Sequence, residues 1–108
     1  MADLLNHDLC PRIPSEGSVG ASGDLTPLAY IAAAVTGEGE VLVDGETMPA
    51  AEALAKAGLI PLELMPKESL ALMNGTSART GLAALGFDRS ARLARVAATL
   101  TAMAVEAL

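Results

Sequence analysis

The C-terminal part of the chain restricts the fold more than any other stretch. From residue 88 to residue 108, Leu93, Val96, Ala97, Leu100, Met103, Ala104, Ala107 and Leu108 recur three and four positions apart, the spacing of one face of an α-helix. Past Val96 the remaining faces are also mostly small or apolar. A helix that is apolar nearly all round has to be buried by other helices, more of them than a chain of 108 residues supplies. The stripe stops at Leu108 without a glycine, proline or polar cap, and the chain opens on a short apolar run, "ADLLNHDLC", with no helix-start signal. Both ends read as cut through structure. The expectation is one partial domain, residues 1–108, belonging to a larger helical subunit.

Composition points the same way. Aromatic residues make up 2% of the chain, Tyr30 and Phe87 alone, although 52% of it is hydrophobic. Packing therefore rests on Leu, Ala, Val and Met, which favours close-packed helices and a mainly α fold. A net charge of −6 argues against nucleic acid as a partner, because a phosphate backbone needs a basic face. Cys10 is the single cysteine, so neither an internal disulfide nor a two-cysteine metal site can form, and its thiol is expected to be inert and partly buried. No apolar run reaches the roughly 18–20 residues of a membrane span, and the N-terminus lacks the basic-then-apolar order of a secretion signal. A cytoplasmic location without a membrane partner is expected.

Glycine and proline punctuate the rest. An apolar, alanine-rich run from Leu25 through Thr36 ends at Gly37, which suits a helix with glycine just past its end. Asp24 is its natural N-cap, and Pro27 lies in the first turn, where no amide donor is needed. "EVLVDGETM" places β-branched and apolar residues around Asp44-Gly45, a hairpin signal near residues 40–48. Pro49 opens a short helix that closes near Gly58, and Pro66 opens "PKESLALMNGTSARTGLAALG", broken or bent around Asn74 and Gly75.

Ahead of the Leu25 helix lies "GSVGASGDLTPLAY", residues 17–30, with glycine at every third position (Gly17, Gly20, Gly23) and then an acid. It lacks the Lys-Ser/Thr of a nucleotide P-loop, and its G-x-x-G-x-x-G spacing is not the dinucleotide fingerprint. A generic structural loop is one reading. Backbone chemistry is the other: if the Gly23 amide nitrogen approached the Ala21 carbonyl carbon, a five-membered ring could close, because residue 23 has no side chain and residue 21 a small one. Loss of water from the ring and from the Ser22 side chain would leave an exocyclic methylidene, an electrophile that no standard side chain provides.

These residues closely resemble the signature of the histidine, phenylalanine and tyrosine ammonia-lyases and the related aminomutases, in which Ala-Ser-Gly becomes the prosthetic group 4-methylideneimidazol-5-one (MIO). "PKESLALMNGT", residues 66–76, resembles the family's lysine-to-NGT segment, and the order and separation of the two blocks fit. "LTAMAVEAL" resembles the start of the family's long core helices. Departures are Ser69, where many relatives have glycine, and Tyr30, where the histidine-specific branch often has histidine. Tyr30 leans the substrate toward phenylalanine or tyrosine.

The resemblance implies a helical fragment of a carbon–nitrogen lyase. Ala21, Ser22 and Gly23 would form the electrophile autocatalytically, with no external cofactor and no metal. The amine of an aromatic amino acid would add to it, and elimination would give ammonia and an α,β-unsaturated acid. Asp24 would assist the cyclisation, besides serving as an N-cap worth on the order of 1 kcal/mol. Asn74 would sit beside the prosthetic group and assist its formation or substrate binding, where a turn asparagine before Gly75 is the plain alternative. Amide donors at the helix start would stabilise negative charge developing on the ring oxygen. The catalytic base and the carboxylate-binding arginine would lie outside residues 1–108, and the active site would be shared within a homotetramer, leaving this chain inactive by itself. An aromatic 2,3-aminomutase and a non-catalytic helical module are the competing readings. His7 reads as solvated, Tyr30 as a packing residue, and Arg89, Arg92 and Arg95 as one solvated helix face.

Overall fold

The computed structural model describes residues 1–19 and 23–108. It divides into two compact units, Met1–Thr76 and Ser77–Leu108. The first contains α1 (Ala2–Asn6), β1 (Cys10–Pro11), α2 (Leu25–Thr36), β2 (Glu40–Val43), β3 (Glu46–Pro49), α3 (Ala50–Lys56) and α4 (Glu68–Met73), and the second is α5 (Ser77–Ala107). The fold is mainly helical, as the composition leads one to expect.

In α2 the helix stops where the sequence says it should. Gly37 takes a left-handed conformation (φ +83°), its N–H donates to the Ala34 carbonyl at 3.2 Å, and the Glu38 N–H reaches back to the Ala33 carbonyl at 2.7 Å. That pair of bonds satisfies two carbonyls that the helix end would otherwise orphan. Asp24 occupies the N-cap position, but its side chain makes no capping hydrogen bond, so the cap contribution expected of it is not made there.

The hairpin forms as the Asp44-Gly45 pair dictates: both residues have positive φ (+51° and +85°) between paired Val43 and Glu46, the turn whose twist matches two antiparallel strands. The sheet has a third strand that the sequence reading lacks. β1 pairs antiparallel with β2 through Cys10 with Leu42 and Pro11 with Val41, and Arg12 reinforces it with a backbone bond to Glu40 and a side-chain ion pair to the same residue. Two residues including a proline carry no alternation of their own, so this strand exists because β2 offers it an edge. Its outer position leaves Cys10 exposed, contrary to the partly buried thiol expected.

The core joins Leu4, Leu9, Ala34, Val35, Val41, Ala50, Ala53 and Leu54. The alanines let α2 and α3 approach the sheet closely, and Ala50 follows β3 directly, its N–H held by the Gly39 carbonyl at 3.0 Å. Truncating a buried leucine such as Leu54 typically costs about 2–5 kcal/mol. The chain from Leu59 onward runs back past the end of α2, where Leu62 N–H donates to the Val35 carbonyl at 2.8 Å.

The second unit is a single helix. The chain resumes helical geometry at Ser77, just past the break expected around Asn74 and Gly75, and continues through Gly81 and Gly86 for 31 residues, a rise of about 46 Å. None of its residues is buried. Arg89, Arg92 and Arg95 are exposed, as a solvated face would be. No helix among the described residues is long and apolar enough to cross a membrane.

Candidate functional site

Two chain segments far apart in sequence meet at the start of α2. One is Gly23-Asp24, which feeds that helix. The other is Asn74-Gly75, where α4 ends: the Asn74 N–H still bonds the Leu70 carbonyl at 2.8 Å, but its backbone (φ −89°, ψ 67°) has already left the helix. α4 lies beside α2, and the Asp24 N–H donates to the Gly75 carbonyl at 2.7 Å.

Gly23 is required here for two reasons. Its φ is +112°, which L side chains rarely adopt. A Cβ at this position would stand 2.7 Å from Asn74 Oδ1 and 3.3 Å from the Gly75 carbonyl oxygen. The Gly23 backbone and the Asn74 amide are therefore close neighbours.

Asp24 is wholly buried, at 0% exposure. Its carboxylate accepts a hydrogen bond from Ser18 Oγ, Oδ1 to oxygen 3.4 Å. Ser18 is the residue that sequence reasoning missed, since a serine among glycines carries no signal except its place six residues before the acid. The preceding Gly17 (φ +138°) also lies against the helix start, for a Cβ there would come within 3.0 Å of Thr26 Cγ2.

The helix end has fewer donors than a generic N-terminus. Asp24 N–H is committed to Gly75 and Pro27 has no N–H, so Leu25 and Thr26 supply the outward-pointing amides. Ala21 and Ser22, the other two predicted residues, lie outside the described residues. Tyr30 is 42% exposed, not packed as expected, although Ala34 one turn further along α2 is buried. It is also about 9 Å of helix rise beyond Asp24. His7 caps α1 and is exposed. No group of three or more His, Cys, Asp or Glu side chains among the described residues is placed to hold a metal.

With this geometry described, comparison with known proteins gives the family of the chain. All of residues 1–108 match the model of a family described as aromatic amino acid lyase. Histidine ammonia-lyase of Sorangium cellulosum is 53% identical over 108 residues, 100% of this chain and 21% of that protein. Phenylalanine aminomutase of Pantoea agglomerans is similar in structure with a TM-score of 0.77 at 48% identity, over 84% of this chain and 17% of that one. Tyrosine aminomutase of Streptomyces globisporus gives 0.68 at 51% identity, over 75% of this chain and 15% of its own. The chain belongs to the aromatic amino acid lyase family. It spans about a fifth of the length of the curated relatives it matches.

Proposed function

We propose that this chain is the electrophile-bearing segment of an aromatic amino acid ammonia-lyase, with Ala21, Ser22 and Gly23 as the source of an MIO group. The observation that carries the reading is the contact at Gly23. Ring closure through the amide nitrogen of residue 23 calls for a residue without a side chain, and here a side chain is opposed both by φ and by the Asn74 amide. The residues present thus fit the group: Gly23 would be part of it, and Asn74 and Asp24 would hold it.

Once formed, the group supplies an electrophilic carbon that engages the substrate amine and turns it into a better leaving group. The chain's own residues do the positioning. Asn74 brings an amide that can both donate and accept to the edge of Gly23. Asp24 fixes the start of α2 through its N–H bond to Gly75 and its buried carboxylate. The amides of Leu25 and Thr26, at the positive end of α2, favour negative charge developing nearby.

The expected reaction is loss of ammonia from an aromatic amino acid to give an α,β-unsaturated acid. The histidine ammonia-lyase relative supports histidine as substrate, whereas Tyr30 leans toward phenylalanine or tyrosine. Aminomutation is the second reading, supported by the two aminomutase structures. It differs in returning ammonia to the product. Product analysis on the full-length subunit, expected to work as a homotetramer in the cytoplasm, separates them: an unsaturated acid with free ammonia supports the lyase, and a 3-amino acid the aminomutase. Intact-mass measurement tests the electrophile itself. A subunit lighter by two waters is expected, and an unmodified mass would remove the catalytic reading while leaving the family membership in place.

A further inference from the structure

We propose that Asn74 is a latent self-modification site, locked by the turn that ends α4: while the turn holds, the Gly75 nitrogen is kept away from the Asn74 side-chain amide, and once it opens the two react. The inference concerns Asn74 and Gly75 themselves and does not depend on the proposed electrophile. An asparagine followed by glycine is chemically vulnerable, because glycine has no Cβ to keep its backbone nitrogen from the preceding side-chain carbonyl carbon. Asn74-Gly75 is the one such pair in the sequence, since the other asparagine, Asn6, precedes His7. Three backbone hydrogen bonds fix it. Asn74 N–H donates to the Leu70 carbonyl at 2.8 Å, Gly75 N–H to the Met73 carbonyl at 3.0 Å, and the Gly75 carbonyl accepts from Asp24 N–H at 2.7 Å. The second bond, with Asn74 at φ −89° and ψ 67°, makes an inverse γ-turn. Ring closure needs the Gly75 nitrogen eclipsed with Asn74 Cβ, which on an L residue means ψ near about −120°. At ψ 67° the nitrogen stands almost opposite Cβ, as far from the side-chain carbon as the backbone allows. The N–H that must give up its proton is engaged at the same time.

With the turn open, the Gly75 nitrogen attacks Asn74 Cγ. The N–Cγ bond forms, the Cγ–Nδ2 bond breaks, and ammonia leaves with the Gly75 amide proton. Solvent water then opens the five-membered imide. Attack at Cγ leaves aspartate in an intact backbone, and attack at the Asn74 backbone carbonyl carbon leaves isoaspartate, with Gly75 joined through Cγ. Nothing is oxidised or reduced. Either product exchanges an amide that donates and accepts for a carboxylate that only accepts, at a position whose Oδ1 lies 2.7 Å from where a Gly23 Cβ would stand.

The test incubates the full-length subunit at mildly alkaline pH, folded in buffer and unfolded in guanidinium, and maps peptides by mass. The peptide containing Asn74 should grow heavier by the difference between water and ammonia, at least about tenfold more slowly in the folded subunit, a ratio set by how seldom the turn opens. Hydrogen exchange of the Gly75 N–H, read on the same subunit, separates the turn from general burial. Conversion needs that N–H released and ψ rotated as well, so folding should slow it at least as much as it slows exchange. A smaller ratio between folded and unfolded rates overturns the proposal, and so does an unfolded subunit that never converts. Conversion that folding slows less than it slows Gly75 exchange overturns the turn as the lock. None of these results bears on the electrophile, which the two-water mass loss reports separately.

Discussion

At residue 23 two separable effects oppose a side chain, and they can be measured apart. The positive φ strains any L residue, typically by about 1–3 kcal/mol, whereas the contact with Asn74 Oδ1 involves the end of a side chain that can be removed. Gly23→Ala is therefore expected to destabilise the chain by at least that strain, read as a lower midpoint in urea. Adding Asn74→Ala should recover only the steric part, because the Gly75 carbonyl and the backbone angle remain. A double variant as stable as Asn74→Ala alone would show that strain contributes nothing. In the full-length subunit Gly23→Ala should also abolish the two-water mass loss. This contact joins residues 51 positions apart in the chain, so neither residue's own neighbourhood in the sequence announces it. The two blocks could be paired beforehand only through their resemblance to a family signature.

Elements defined by their own turn chemistry were the legible ones. Gly37, Gly45 and Gly58 all have positive φ (+83°, +85° and +69°) at the ends that glycine marked, so α2, the hairpin and α3 follow from local rules. An element defined by a tertiary partner was not, since β1 needs the edge of β2; the break around Asn74 and Gly75 was legible, and α5 starts just past it at Ser77 and runs on through Gly81, Gly86 and Asp88. Helix-forming Ala, Leu and Arg around them carry the helix through. Two contrasting outcomes are expected. Gly37→Ala should cost about 1–2 kcal/mol for the left-handed conformation, plus a contact with Pro61 Cγ at 3.3 Å, and so exceed Gly45→Ala, whose Cβ would meet nothing within 4 Å. Gly81→Ala, also with open space around its Cβ, should instead stabilise α5 by about 1 kcal/mol. Circular dichroism and thermal unfolding of the three variants check the order, and a stabilising Gly45→Ala would contradict the turn assignment.

For the molecule as a whole, the decisive quantity is apolar surface. α5 exposes Leu82, Leu85, Phe87, Leu93, Leu100, Met103 and Val105 each by more than half, and the first unit adds Ile60 and Met65. Surface of that kind is expensive to leave in water, about 25 cal/mol per Å², and large exposed patches mark surfaces that bind other protein. The chain by itself is accordingly expected to self-associate, with a weight-average mass in sedimentation that rises with concentration. The effect should be traceable to α5. Replacing Leu93 and Leu100 together by lysine puts charge on the stripe at two of its regular positions without touching the core of Met1–Thr76, which contains neither residue. The double variant should sediment closer to the monomer while the β2–β3 hairpin and the core around Val41 keep their protection from hydrogen exchange. A wild-type chain that stays monomeric at every concentration and unfolds sharply at high temperature would mean that this surface needs no cover.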